Sequence, residues 1–446
     1  MNIDCGLGKT IITLNALDAL LAVEAHKVLI IAPLRVARDV WPEEIKKWSH
    51  LQHLKISPIV GDKNARVAAA RTEADIYTVN YENVPWLYDF WKSEWPYTVI
   101  VADESTKLKS CRSSVQVSKQ GKKFIRADGG ARTAVLSKIA FNKAQRWINL
   151  TGGFSPNGLE MTWGQLWFID AGKRLGRTYT DFTNRWFKVG FNGFGLTATS
   201  HAEGEIQEKI RDVTFTLRAE DYLELPKEIF NKVFVDLPPQ AMVQYRSMEE
   251  DFYVRIKAGE VEAFTAAVKT GKIHQMANGA IYYDKDGSWE PLHDAKLDAL
   301  KDIIEEAGGM PVIVAYKFRS DLERLKKAFP EAVQFDNKSS VKEAFLAGRI
   351  PILLLHPGSA GHGVDGLQAV TNILIFFSLD WNVEERLQTI ARIGAVRQFQ
   401  AGMDRPVIIH QIIARRTVDE DILDRIENRL SVEESLKLGM ARRNLR

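Results

Sequence analysis

Cysteine is scarce, with only Cys5 and Cys111 in 446 residues, so no disulfide framework can hold the chain and a reducing compartment fits it. Excess charge is absent too. The 60 Lys+Arg against 57 Asp+Glu leave +3, a balance that by itself demands neither nucleic acid nor a membrane surface. No run approaches the ~18 apolar residues of a membrane span. The opening MNIDCGLGKT has neither the basic nor the apolar region of a secretory signal. A soluble, cytoplasmic protein is therefore expected. The sequence also lacks tandem repeats, low-complexity linkers and long charge runs. What remains is ordinary globular material, 45% hydrophobic and 26% charged, which excludes disorder and coiled coil as whole-chain readings and suffices for two or three domains.

Short apolar runs bounded by turn residues recur in two series. The first is VLIIAPL (28–34), DIYTVN (75–80), YTVIVADE (97–104) and INLTG (148–152). The second is PVIVAY (311–316), IPILLL (350–355), TNILIFF (371–377) and VIIHQII (407–413). Runs apolar on both alternations predict strands buried on both faces, as in parallel sheets covered by helices. Amphipathic helical segments lie between them, at Thr10–Ala25, Arg38–Trp48 (with Trp41, Ile45 and Trp48 on its apolar face) and Asp294–Ala307. The predicted class is α/β, with two lobes and a helical insertion between them. Lobe one spans 1–235, the insertion 236–292, lobe two 293–430, and a helix or tail 431–446. Residues 171–215 read as loops with short helices, and the basic segment 118–132 as a surface loop.

Three motifs carry chemistry. GLGKT, Gly6 to Thr10, opens the first helix, where glycines let backbone N–H groups close around phosphate oxygens at a positive helix terminus. Lys9 can then reach the outer phosphates and the Thr10 hydroxyl can ligate Mg²⁺. The full pattern places a further glycine where this chain has Ile3, so a plain helix cap competes with the phosphate reading. Asp103 and Glu104 end a buried strand, where α/β sheets bind ligands. Asp103 suits a metal and Glu104 an attacking water, and the competing reading is a helix cap. HPGSAGHGVDGLQ (356–368) and DWNVEERLQTIARIGAVRQ (380–398) place glycines, Gln388, Arg392 and Arg397 in the second α/β half. Such arginines can stabilise phosphoryl transfer, or can be plain surface charge.

In order and over nearly the whole chain, these segments resemble superfamily-two helicase-like ATPases, specifically Swi/Snf-type DNA translocases in the compact form common in bacteriophage genomes. GLGKT resembles motif I, IIAPLRVARDVWPEEIKKW (30–48) motif Ia, YTVNYENV (77–84) motif Ib and DESTKLKS (103–110) the DExx box. NLTGGFSPNGLEMTWGQLWFID (149–170) resembles motif III, and LRAEDYLELP (217–226) the hinge toward the second lobe. HDAKLDAL and PVIVAYKFRSDLERL open that lobe, SAGHGVDGLQ resembles motif V, and LQTIARIGAVRQFQAG motif VI.

The resemblance implies two RecA-like P-loop lobes with ATP in the cleft between them. It assigns nucleotide contacts to Gly6, Leu7, Gly8, Lys9, Thr10, Asp103, Gly363, Asp365 and Gln388, and Mg²⁺ to Thr10 and Asp103. Catalytic roles fall to Lys9, Glu104, Arg392 and Arg397. Contacts to the phosphate backbone of DNA, duplex preferred, fall to Pro33, Leu34, Arg35, Asn80, Tyr81, Lys109, Lys317 and Ser359. A monomer is expected, with any recruiting protein unspecified. The chain departs from the family pattern in three places. Motif III reads Thr151-Gly152-Gly153-Phe154 instead of Thr-Gly-Thr-Pro. The motif VI arginines stand at 392 and 397 instead of three apart. Only MNI precedes the P-loop region, so most of the strand that should lead into it is absent and the family's fold is expected to begin before Met1. A strand-separating helicase, or a nucleic-acid binder with weakened hydrolysis, are the alternative readings.

Overall fold

Each of the eight apolar runs forms a strand in the computed structural model, which describes residues 1–117, 123–153, 155, 158–189, 196–257, 263–283, 287–336, 339–360 and 366–428. The chain divides into two units, Met1–Leu223 and Glu224–Arg446. The fold class is α/β, with a parallel sheet flanked by helices in each unit.

In the first unit the strand order is Ile56–Ile59, Ile76–Asn80, Val28–Ala32, Val99–Asp103, Arg146–Leu150, all parallel. Alternate residues of each strand serve opposite faces, as the pleat requires. Leu29, Ile31, Ile100 and Ala102 pack toward Trp163, Leu166 and Trp167. Val28, Ile30, Val99 and Val101 pack toward Leu14 and Leu17 of the helix Lys9–Val23, and toward Trp41 and Ile45. Asn2–Ile3 runs parallel to Thr216–Leu217, and Asn2 bridges to Thr151 just beyond the Arg146–Leu150 strand.

The second sheet runs Ile229–Val235, Ile408–Ala414, Ile373–Phe376, Val312–Ala315, Ile352–Leu355, Ala332–Gln334, again all parallel. Its helices are tied by buried charge. Lys296 and Asp419 are both fully buried with Nζ 2.6 Å from Oδ2, and Lys296 also donates to Asn278 Oδ1 at 2.7 Å. Breaking one side of such a pair would strand the other in the core.

Three expectations need correction. Residues 229–235 belong to the second sheet, not to lobe one, because Ile229–Val235 pairs along its length with Ile408–Ala414. The helices expected in the 236–292 insertion are present as Pro239–Lys257 and Ala263–Asn278, but they are no detached insertion. Leu237, Ala241, Tyr245, Ile273 and Met276 form one core cluster with Ala414 and Val418. The segment 118–132 is also not simply a loop. Lys123–Asp128 pairs antiparallel with Arg112–Val117 to make a hairpin, and a helix starts at Ala131.

Candidate nucleotide site

In a wholly parallel sheet every strand ends on the same edge, so the segments that follow those strands line up there. In the first unit these are Pro33–Arg35, Asn80–Tyr81, Asp103–Glu104 and Thr151–Gly153, with the loop after Ile3 leading into the P-loop.

Gly6 and Gly8 take φ of 90° and 80°, the left-handed region that an L side chain adopts only under strain. A Cβ on Gly8 would also lie 3.0 Å from Ile11 Cγ2. The helix then begins at Lys9, with Thr10 in its first turn. The Lys9 ammonium donates to the Ile3 carbonyl at 2.8 Å, and the Thr13 hydroxyl donates to the Lys9 carbonyl at 2.7 Å. The motif III turn lies against this loop: a Cβ on Gly152 would sit 3.2 Å from Cys5 Sγ and 3.8 Å from Lys9 Nζ. Within that turn Thr151 Oγ1 donates to Gly153 O at 2.8 Å and accepts from Gly153 N at 3.1 Å. Phe154 lies outside the described residues.

Asp103 is 8% exposed. Its Oδ2 accepts from Trp41 Nε1 at 3.0 Å, and its Oδ1 from the Glu104 amide at 3.0 Å. Burial raises its pKa above the ordinary carboxylate range, while the Lys9 charge and those two donors pull it back down. Glu104 follows with φ 53° and ψ 56°, a left-handed non-glycine residue at the strand end. Strain of this kind concentrates at functional positions. Behind the pair, Ser105 Oγ donates to Gln165 Oε1 at 2.9 Å and Asn149 Nδ2 donates to Gln165 O at 2.8 Å, both buried. The helix Thr162–Asp170 reaches this turn through Gly164, whose Cβ would stand 2.6 Å from the Leu108 carbonyl.

The structure thus brings Gly6–Thr10, Asp103 and Glu104 together. It reassigns two residues expected to touch nucleic acid. Tyr81 is 1% exposed and its hydroxyl donates to the Asp103 carbonyl at 2.9 Å. Asn80 is buried and bonded to Glu82 and Asn83. Both are used up inside the unit. Pro33 and Arg35 are half-buried and Leu34 is half-exposed, at the start of a π-helical turn Val36–Val40. Lys109 is half-buried, and its carbonyl accepts from Arg112.

Sequence reasoning missed Trp41, which reads as one more apolar residue of an amphipathic helix. It also missed Asp4, whose carboxylate accepts from Arg218 Nη1 and from the Ala219 amide, each at 3.0 Å, tying the LRAEDY segment to the P-loop.

In the second unit Lys317 follows the Val312–Ala315 strand and is ion-paired with Asp380. Gln388 lies on the helix Val383–Ile390, Arg392 in the turn after it, and Arg397 on the helix Ala395–Gln400. Ser359 lies in the short helix Pro357–Ala360, with its side chain outside the described residues, as are Gly363 and Asp365.

The SNF2-related domain matches residues 2–281, well over half the chain. The chain belongs to the SNF2-related family. This places it in a family of ATP-dependent enzymes. It is 44% identical over 445 residues to protein p41 of Acyrthosiphon pisum secondary endosymbiont phage 1, covering 98% of this chain and 94% of that one. It is 24% identical to the human SWI/SNF-related matrix-associated actin-dependent regulator of chromatin subfamily A member 1, covering 96% of this chain but 41% of that protein. A solved SWI2/SNF2 ATPase core from Sulfolobus solfataricus in complex with dsDNA aligns over 95% of this chain and 85% of its own, with 20% identity and a TM-score of 0.40.

Proposed function

We propose that this protein hydrolyses ATP and uses the energy to move on duplex DNA. The observation that carries the reading is one geometry: a left-handed glycine loop and Lys9 at a helix start, beside a buried acid, Asp103, and a strained one, Glu104. The loop amides and the helix terminus suit phosphate oxygens. Lys9 would exchange the Ile3 carbonyl for the outer phosphates. Glu104 would orient the attacking water and take its proton. Thr10 and Asp103 offer hard oxygen donors, the chemistry that Mg²⁺ prefers. Bound there, Mg²⁺ would draw off the charge that develops on the phosphate oxygens. Arg392 and Arg397 of the second unit would complete that stabilisation, in the manner of arginine fingers.

DNA as the track rests on family membership, and motion on the duplex, without strand separation, on the Swi/Snf-type motif order. The phage relative supports a phage role in the cytoplasm of a bacterial host; there the protein would serve DNA replication, recombination or repair and act as a monomer. No helix among the described residues is long and apolar enough to cross a membrane. The test is ATPase activity with duplex DNA, single-stranded DNA, RNA or no nucleic acid. Duplex DNA should stimulate hydrolysis most, and Lys9→Ala should abolish it. Equal rates with and without DNA would refute the motor reading. Displacement of a triplex strand with a forked duplex left intact would separate translocation from unwinding.

A further inference from the structure

Asp103 is a carboxylate almost wholly removed from water, and two aromatic side chains distant in sequence hold it from two sides. Trp41 is fully buried, and its indole N–H meets Oδ2 at 3.0 Å. Tyr81 meets the backbone carbonyl of the same residue at 2.9 Å. The Trp41 ring belongs to the cluster that contains Leu14 and Leu17 of the P-loop helix and Val101 of the Asp103 strand. Packing fixes the plane of the indole, so its single N–H has one direction, and that direction ends on the acid.

We infer that Trp41 and Tyr81 are positioning residues that hold Asp103 in the orientation required to bind Mg²⁺ with the nucleotide; this rests on the nucleotide reading above. The torsion that turns a carboxylate is broad and soft, so an untethered Asp103 would sample many orientations. With Oδ2 tied to the indole and Oδ1 to the Glu104 amide, both oxygens are fixed, and each keeps a lone pair for a metal-bound water. Tyr81 fixes the other end of the lever by anchoring the backbone from which the carboxylate projects. A charge-assisted hydrogen bond in a dry site is stronger than its exposed equivalent, which makes the restraint effective. Trp41 reaches Asp103 from the segment that follows Pro33–Arg35, and Tyr81 adjoins Asn80, so both tethers come from the strand-end segments beside the acid.

Trp41→Phe deletes the donor together with the smaller ring of the indole, and Tyr81→Phe deletes one oxygen. Binding of N-methylanthraniloyl-ADP in Mg²⁺ and in EDTA gives the gain in affinity that the metal confers. Partners that orient a metal's ligands typically affect metal affinity 10–100-fold, so each variant should cut that gain by about tenfold. The half-saturating Mg²⁺ for hydrolysis should rise, with much of the rate recovered at high Mg²⁺. Affinity in EDTA should not change. Trp186→Phe is the matched control. Trp186 is equally buried and donates to the Glu205 carboxylate at 2.9 Å, so its loss should lower stability and leave the Mg²⁺ gain intact. If Trp41→Phe does not accumulate as folded protein, Tyr81→Phe carries the same test. Wild-type gain in the folded variants, or an equal loss in Trp186→Phe, overturns the inference. A wild-type protein with no Mg²⁺-dependent nucleotide binding instead overturns the nucleotide reading on which it stands.

Discussion

Glu104 holds φ 53° at the end of a buried strand, where an L residue costs about 1–2 kcal/mol in backbone strain. Stability alone would favour glycine at this position, so the carboxylate is what the strain serves. Glu104→Gly should accordingly leave the melting temperature unchanged or slightly raised while hydrolysis falls at least a hundredfold. Glu104→Val should lower the melting temperature as well, because a β-branched side chain tolerates the left-handed region worst. A Glu104→Gly variant that still hydrolyses ATP would remove Glu104 from the reaction. At this scale the sequence singled out Gly6, Gly8, Lys9, Thr10, Asp103 and Glu104 as candidates, because the chemistry proposed for them depends on neighbours a few positions away. Trp41 and Tyr81 were illegible in their roles. The Trp41 indole and the Asp103 carboxylate are 62 positions apart, and nothing local to either names the other. Tyr81 was assigned to nucleic acid because it follows Asn80 in a motif-like string, whereas folding turns it inward.

The elements most easily read were the central strands. Val28–Ala32, Val99–Asp103 and Ile352–Leu355 are buried at every residue, so their sequences carry an unbroken apolar run. The strands of the two main sheets that escaped notice, Ile56–Ile59, Ile229–Val235 and Ala332–Gln334, are all at sheet edges. An edge strand has one flank free of a neighbour and tolerates Pro58, Asn231 and Lys232 in its sequence. Ile229–Val235 goes further: Phe230 and Phe234 are substantially exposed, and the Arg386 and Arg415 guanidinium groups lie over them at 5.9 and 5.1 Å. Its hydrogen-bond parity makes a prediction. Ile229 N donates to Val407 O and Val235 O accepts from Arg415 N, so odd-numbered residues face the neighbouring strand. Val233→Pro should therefore destabilise the protein by about 3 kcal/mol or more in a denaturant titration. Lys232→Pro should cost at least about 1 kcal/mol less, since it gives up only an outward N–H and a surface ion pair with Glu427. Equal losses would mean the register is wrong.

For the whole molecule, the near-neutral charge of +3 is compatible with a motor that grips DNA phosphates locally and needs no basic tail. The two units divide the work unequally in the proposed reaction, with the P-loop and both acids on Met1–Leu223 and the arginines on Glu224–Arg446. Arg392→Ala should thus leave Mg²⁺-dependent nucleotide binding intact while slowing hydrolysis by about a thousandfold. The same pair of measurements on Arg397→Ala identifies which arginine does more. Loss of nucleotide binding in Arg392→Ala would assign it a binding role instead. By itself the sequence determined the α/β class and the family, and it pointed to the residues proposed to handle the nucleotide, because sheet burial and phosphate binding are both written in short local patterns. The tertiary structure alone decided that Ile229–Val235 joins the second sheet, that Tyr81 faces inward and that Trp41 holds Asp103. Each of those depends on which distant segments become neighbours, and hydrogen bonds across such distances leave no periodicity in the chain.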